Sequence, residues 1–195
     1  MRLVLGTRNP HKVRELGPLL APHELEPLPE GIELPPETGE TFADNALIKA
    51  RAAAAATGRP AIADDSGIEA AALDGAPGVY SARYAGENAT DEENLAKLLH
   101  DVPPGGNTDV TYVCVLAYAE PSGGEQLFYG RCEGTLTHEP RGRGGFGYDP
   151  AVIPKDRDDG RTMAELSPEE KDAISHRGRA ARAFLDWLER ESTAA

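Results

Sequence analysis

Apolar residues along this chain fall into short runs whose spacing alternates between that of a buried strand and that of a helix. Arg2-Leu3-Val4-Leu5 reads as a short strand, followed by the tight loop Gly6-Thr7-Arg8. Asn9-Pro10 predicts a helix start, with Asn as N-cap and Pro at the first helical position. Val13, Leu16, Leu19 and Leu20 share one face of that helix, and Gly17-Pro18 should kink it or end it early. Pro22 to Gly39 is rich in Pro and Glu and reads as an irregular connection with room for one short strand. Thr41-Phe42-Ala43-Asp44 has the form of a capping box with Asp in place of Glu, and opens an Ala-rich helix to about Thr57 on which Asn45 and Lys49 share a face.

Ala61-Ile62-Ala63 predicts a buried strand that ends in Asp64-Asp65 and opens into a turn at Ser66-Gly67. Gly75-Ala76-Pro77-Gly78 is a loop, Tyr80 to Tyr84 a small aromatic and basic patch, and Thr90-Asp91-Glu92-Glu93 caps a helix through His100. After a linker at Pro103 to Asn107, Val110 to Tyr118 and Gln126 to Leu136 are rich in β-formers. The turn Pro121-Ser122-Gly123-Gly124 between them predicts a long antiparallel hairpin. Arg141 to Pro150 is a glycine-rich loop carrying Phe146 and Tyr148. Ser167-Pro168-Glu169-Glu170 is a full capping box, so a helix starts there and passes Lys171, Ser175, His176 and Arg177. It should break at Gly178 and resume through Phe184, Leu185 and Leu188. Helices that feed strands build a mixed or parallel sheet, which places the chain in the α/β class.

Length and charge narrow the function. A chain of 195 residues supports one substantial core, read here as a single domain over 1–195. A formal charge of −13 argues against a broad surface for DNA, RNA or anionic lipid, while leaving room for one nucleotide in a locally basic pocket. Cys114 and Cys132 have no paired metal-ligand spacing and read as reduced thiols of a cytoplasmic protein. Neither a signal peptide nor a membrane span is visible in the sequence.

Asp64 and Asp65 are the centre of the chemical reading. Side chains alternate along a strand, so the two should face opposite ways and one of them should meet a substrate. Two carboxylates beside an apolar core need a metal, a basic side chain or a capping role to offset the cost of burial. The helix start Thr7-x-Asn9-x-x-Lys12 directly after a strand is suited to an anion, through free N–H groups, the helix dipole and the lysine. It lacks the glycines and Lys-Ser/Thr pair of a Walker loop. The loop around Phe146 and Tyr148 offers a backbone-lined platform for a flat base. Carboxylates, isolated basic residues and an aromatic glycine loop are together the parts needed for a magnesium-bound nucleotide. These residues alone fit three activities: release of pyrophosphate, release of a terminal phosphate, or nucleotide sensing without turnover.

The motifs Thr7-x-Asn9-x-x-Lys12, Glu37-Thr38-Gly39, Asn45-Ala46-x-x-Lys49-Ala50, Ala63-Asp64-Asp65-Ser66-Gly67, Gly75-Ala76-Pro77-Gly78-x-Tyr80-Ser81-Ala82-Arg83, Gly144-Gly145-Phe146-Gly147-Tyr148-Asp149-Pro150 and Glu170-Lys171-x-Ala173-x-Ser175-His176-Arg177-Gly178 occur in that order over nearly the whole chain. In this the chain resembles the inosine triphosphate pyrophosphatases, also described as dITP/XTP or non-canonical purine NTP pyrophosphatases. One departure is Arg8, which stands where that family usually has Gly.

The resemblance implies a two-lobed α/β homodimer, with a mixed sheet flanked by helices and a nucleotide cleft between lobes. It also implies magnesium-dependent hydrolysis of ITP, dITP and XTP to the monophosphate and pyrophosphate, in the cytoplasm. Carried over by motif, Asp65 is the proton acceptor and a metal ligand, with Glu37 the second ligand. Glu40 and Asp64 are alternatives for ligation. Thr7, Arg8, Asn9, Pro10, His11, Lys12, Lys49 and Ser66 are implied to face the phosphates or sugar. Phe146, Gly147, Tyr148, Asp149, Lys171, His176 and Arg177 are implied to surround the base.

Overall fold

The computed structural model describes residues 1–194 and is built on a six-stranded mixed sheet flanked by helices. In chain order the elements are β1 (Arg2–Leu5), α1 (Pro10–Leu19), β2 (Glu24–Pro27), α2 (Phe42–Thr57), β3 (Ala61–Ala70), α3 (Asp91–Asp101), β4 (Asp109–Ala119), β5 (Glu125–Leu136), β6 (Val152–Pro154), α4 (Pro168–Ile174) and α5 (His176–Ala194). The strand order is β2-β1-β3-β4-β5-β6. Strand β1 runs parallel to β2 and β3, and β5 runs antiparallel to β6. Neighbouring strands β4 and β5 are joined by Glu120 to Gly124, a link too short for the crossover that a parallel pair requires, so they form the expected hairpin.

Local chemistry sets the helix starts. The Asn9 side chain accepts the His11 and Lys12 N–H groups, and Pro10 opens α1. Complete capping boxes stand at Thr41/Asp44, Thr90/Glu93 and Ser167/Glu170, each joining the side chain of one residue to the backbone of the other. Helix α1 ends one residue after Pro18, and Val13, expected on its buried face, is 40% exposed.

The chain forms two compact units. The first is Met1–Asp65, Cys114–Gly130 and Arg177–Ala195; the second is Ser66–Val113 and Arg131–His176. The first unit's core joins Leu3, Leu5, Ile62 and Leu116 to Leu16 of α1 and Phe184 of α5. Phe184 meets Phe128 edge-on, with ring centroids 5.2 Å apart. The second unit's core gathers Ile68, Leu98, Val110, Tyr112, Tyr148 and Met163. Both cysteines are buried thiols, and burial, followed by the charge of Asp64, pushes Cys114 up to about 12. Among the described residues, no helix is long and apolar enough to cross a membrane.

Two boundaries differ from the sequence reading. Strand β3 does not turn at Ser66-Gly67 but continues to Ala70. Burying Ile68 and Ala70 outweighs the local turn tendency, and the Ser81 hydroxyl accepts the Ile68 N–H at 2.8 Å. The C-terminal helix breaks at Ser175 rather than Gly178. Ser175 is extended, with φ −64° and ψ 153°, whereas Gly178 lies inside α5. One Gly in a helix costs only about 1 kcal/mol, which the packing of α5 readily offsets.

A buried ionic group ties β3 to α1 and α5 within the first unit. The Asp64 carboxylate is fully buried and lies 3.1 Å from Lys12 Nζ and 3.4 Å from Arg177 Nε. Arg177, 2% exposed, also pairs with Glu15 of α1. Burial by itself would raise the Asp64 carboxyl, but Lys12 and Arg177 outweigh it and hold the group well below the usual carboxylate range. Because the folded value is depressed, this stabilisation is present above the unfolded value of about 3.9 and lost as pH falls toward the folded one. Asp64→Asn would take away the carboxylate that the half-buried Lys12 and the buried Arg177 share, leaving Arg177 with Glu15. Urea unfolding should show a loss of about 3 kcal/mol or more, and a variant as stable as the wild type would contradict this role.

Candidate active site

Small residues bring α2 close to the strands. Ala46, Ala50, Ala53 and Ala54 are buried on its inner face. A side chain at Gly6 would lie 3.2 Å from both the Ala63 Cβ and the Lys49 carbonyl, so the loop after β1 also needs a bare backbone there. This close approach delivers the Asn45 and Lys49 side chains, one helical turn apart, to Asp65.

Asp65 is 5% exposed. Its Oδ1 lies 3.3 Å from Lys49 Nζ, and its Oδ2 accepts the Asn45 carboxamide at 3.1 Å. Lys49 Nζ also lies 2.5 Å from Glu37 Oε1, so a single ammonium bridges the two carboxylates expected to bind metal. Asn45 Oδ1 accepts the Gly39 N–H at 2.8 Å, which fastens the segment carrying Glu37 to the helix that holds Asp65. Burial raises the Asp65 carboxyl above its ordinary value, and Glu37 adds to this against the opposing charges of Lys49 and Lys12. For Lys49, burial is outweighed by Asp65, Asp64 and Glu37, and its ammonium is held charged.

Asp64 and Asp65 therefore engage different partners, as strand alternation predicts. Lys12 Nζ meets the Asp64 carboxylate and also lies 3.3 Å from the Asp64 carbonyl. Thr7 Oγ1 accepts the Asn9 N–H at 3.2 Å, ordering the turn before α1. Arg8 directs its guanidinium to the carbonyls of Leu28, Pro29 and Ile32 at 2.7–2.8 Å, anchoring the irregular connection. His11 Nδ1 lies 2.7 Å from the Arg14 guanidinium; Ser66 is half-buried and Glu40 exposed.

Among the described residues, no group of three or more His, Cys, Asp or Glu side chains is arranged to hold a metal ion. The Glu37–Asp65 pair nevertheless fits magnesium. That ion is bound by oxygen, keeps several waters and needs only one or two carboxylates beside substrate phosphates. The cationic Lys49 between the two side chains shows that their oxygens converge on positive charge.

The second unit holds a separate constellation. Asp149, 3% exposed, accepts Lys171 Nζ at 2.7 Å and the Phe146 N–H at 3.0 Å on Oδ2. Gly145, with φ +68°, passes so close to that carboxylate that a side chain there would collide with it. The Gly147 N–H donates to Asp91 Oδ2 at 2.8 Å and the Tyr148 hydroxyl to the Ser81 carbonyl at 2.7 Å, so the glycine-rich loop is held at several points. Lys171 Nζ lies 5.3 Å from the centre of the half-buried Phe146 ring. His176, 6% exposed, stacks on Tyr112 at 4.8 Å.

The implied base-facing residues Phe146, Gly147, Tyr148, Asp149, Lys171 and His176 all belong to this unit, whereas Arg177 belongs to the first. Asn45, Asp91 and Tyr112 join these constellations without having been expected there. Asn45 was within reach, because its four-residue spacing from Lys49 put it on the same helix face. Tyr112 gives no signal inside an apolar strand.

The Ham1 family model matches residues 3–187. A dITP/XTP pyrophosphatase of Photorhabdus laumondii is 49% identical, over 96% of this chain and 98% of that protein. One of Erwinia tasmaniensis is 48% identical, over 96% and 94% respectively. The solved structure of a HAM1 protein from Coxiella burnetii superposes with a TM-score of 0.87 at 42% identity, over 97% of this chain and 99% of that one. With the fold, the motif order and near full-length similarity in agreement, the chain belongs to the Ham1 family.

Proposed function

We propose that this protein hydrolyses the non-canonical purine nucleoside triphosphates ITP, dITP and XTP to the monophosphate and pyrophosphate. The carrying observation is the buried Asp65, bridged through Lys49 to Glu37, in a chain nearly half identical to dITP/XTP pyrophosphatases. The reaction is in-line attack of water on the α-phosphorus. Asp65 accepts a proton from that water as the new P–O bond forms, the bond to the bridging oxygen breaks, and pyrophosphate leaves with the electron pair. A carboxyl raised by burial is the stronger base. Glu37 and Asp65 would hold magnesium, which when bound neutralises phosphate oxygens and lowers the pKa of water.

Lys12 and Lys49 offset the triphosphate charge, with Thr7, Arg8, Asn9, Pro10, His11 and Ser66 shaping the phosphate and sugar surroundings. An ammonium carries three donors, so Lys12 can hold Asp64 and still meet a phosphate oxygen. The base is read by Lys171, His176 and the loop from Phe146 to Asp149. Donors there satisfy a 6-keto purine but would face another donor in adenine, and leaving buried donors unpaired is costly. Arg177, held by Asp64 and Glu15, fixes the start of α5 directly after His176. The working form is a homodimer in the cytoplasm.

Incubation with ITP, XTP, dITP and ATP should yield magnesium-dependent pyrophosphate from the first three. Orthophosphate as the sole phosphate product would contradict the proposal. Asp65→Asn should lower kcat by about a thousandfold or more, the upper range for losing a general base, while nucleotide binding persists; near-normal turnover would remove Asp65 from the chemistry. For Glu37→Gln, we expect the half-saturating magnesium concentration to rise about tenfold or more. A direct metal titration of that variant matching the wild type would show that Glu37 is no ligand.

A further inference from the structure

We propose that Tyr112 is a positioning residue for purine recognition, acting through Asp149 and His176; this rests on the reading of the second-unit constellation as the base site. Tyr112 lies in β4 and is 6% exposed. Its hydroxyl donates to Asp149 Oδ1 at 2.9 Å. Its ring lies parallel to the His176 imidazole, with 10° between planes and 4.8 Å between centroids. One side chain therefore contacts two of the groups proposed to face the base.

The hydroxyl fixes the carboxylate as a whole. Asp149 Oδ2 is occupied by the Lys171 ammonium and the Phe146 N–H, while Tyr112 takes Oδ1. A carboxylate held at both oxygens cannot rotate about its terminal torsion, so the ammonium and the loop amide keep fixed directions. Burial, reinforced by the charge of Asp149, drives the Tyr112 hydroxyl well above its ordinary value. It stays a donor throughout the neutral range. The flat contact on His176 fixes the plane of the imidazole, and with it the directions in which its nitrogens present a donor or acceptor.

Tyr112→Phe removes only the hydroxyl and keeps both the ring and its volume, so the fold should be retained. Steady-state kinetics of the full chain with ITP and ATP should show KM for ITP raised about tenfold, on the scale of a lost hydrogen bond to a charged group. The loss should fall on KM more than on kcat, and the ratio of the two kcat/KM values should shrink. Asp149→Asn should reproduce this pattern. Because Tyr112 acts through Asp149, the double variant should then lose no more than Asp149→Asn alone, within about twofold.

Tyr112→Phe with wild-type discrimination between ITP and ATP would overturn the inference. Additive losses in the double variant would overturn the route through Asp149. A wild-type protein that treats ATP and ITP alike would refute the base-site reading itself, and this role for Tyr112 with it.

Discussion

Two adjacent carboxylates, buried where β3 passes through the first unit, are the constraint that the chemistry depends on. A buried charge without a partner costs several kcal/mol, so each must be met by cations delivered from elsewhere in the chain. The pleat of the strand sends them to different partners. Asp64 is met by Lys12 and Arg177, and these fasten α1 and α5 to β3. Asp65 is met by Lys49 and Asn45 from α2, alongside Glu37. The same requirement thus yields a structural clamp at one residue and a candidate proton acceptor at the next.

The difference in surroundings accounts for the difference in role. Asp64 loses the contest of burial against charge so decisively that it stays ionised and cannot trade protons near neutrality. Burial raises the Asp65 carboxyl, and the nearby negative charge of Glu37 adds to it. Two residues of the same kind are thereby separated into an ionic fixture and a candidate base, a division made by environment alone.

Legibility in the sequence followed the range of the interaction. Asn9, Thr41, Thr90 and Ser167 act on backbone groups two or three residues away, and the helix starts they predict are observed. The opposite facing of Asp64 and Asp65 was equally local, since it follows from strand geometry. The run of β3 through Gly67 was not, because it depends on the burial of Ile68 and on Ser81, thirteen residues further on. Nor was the bond from Tyr112 to Asp149, which spans thirty-seven residues. The Arg8 guanidinium organises carbonyls from Leu28 to Ile32, a destination that no local pattern encodes.

If water, relieved of its proton by Asp65, attacks the α-phosphorus, hydrolysis of ITP in water enriched in oxygen-18 should put the heavy oxygen in the phosphate of inosine monophosphate and none in pyrophosphate, as read by mass spectrometry of both products. Label in the pyrophosphate would place the attack on the β-phosphorus instead and rule out this chemistry.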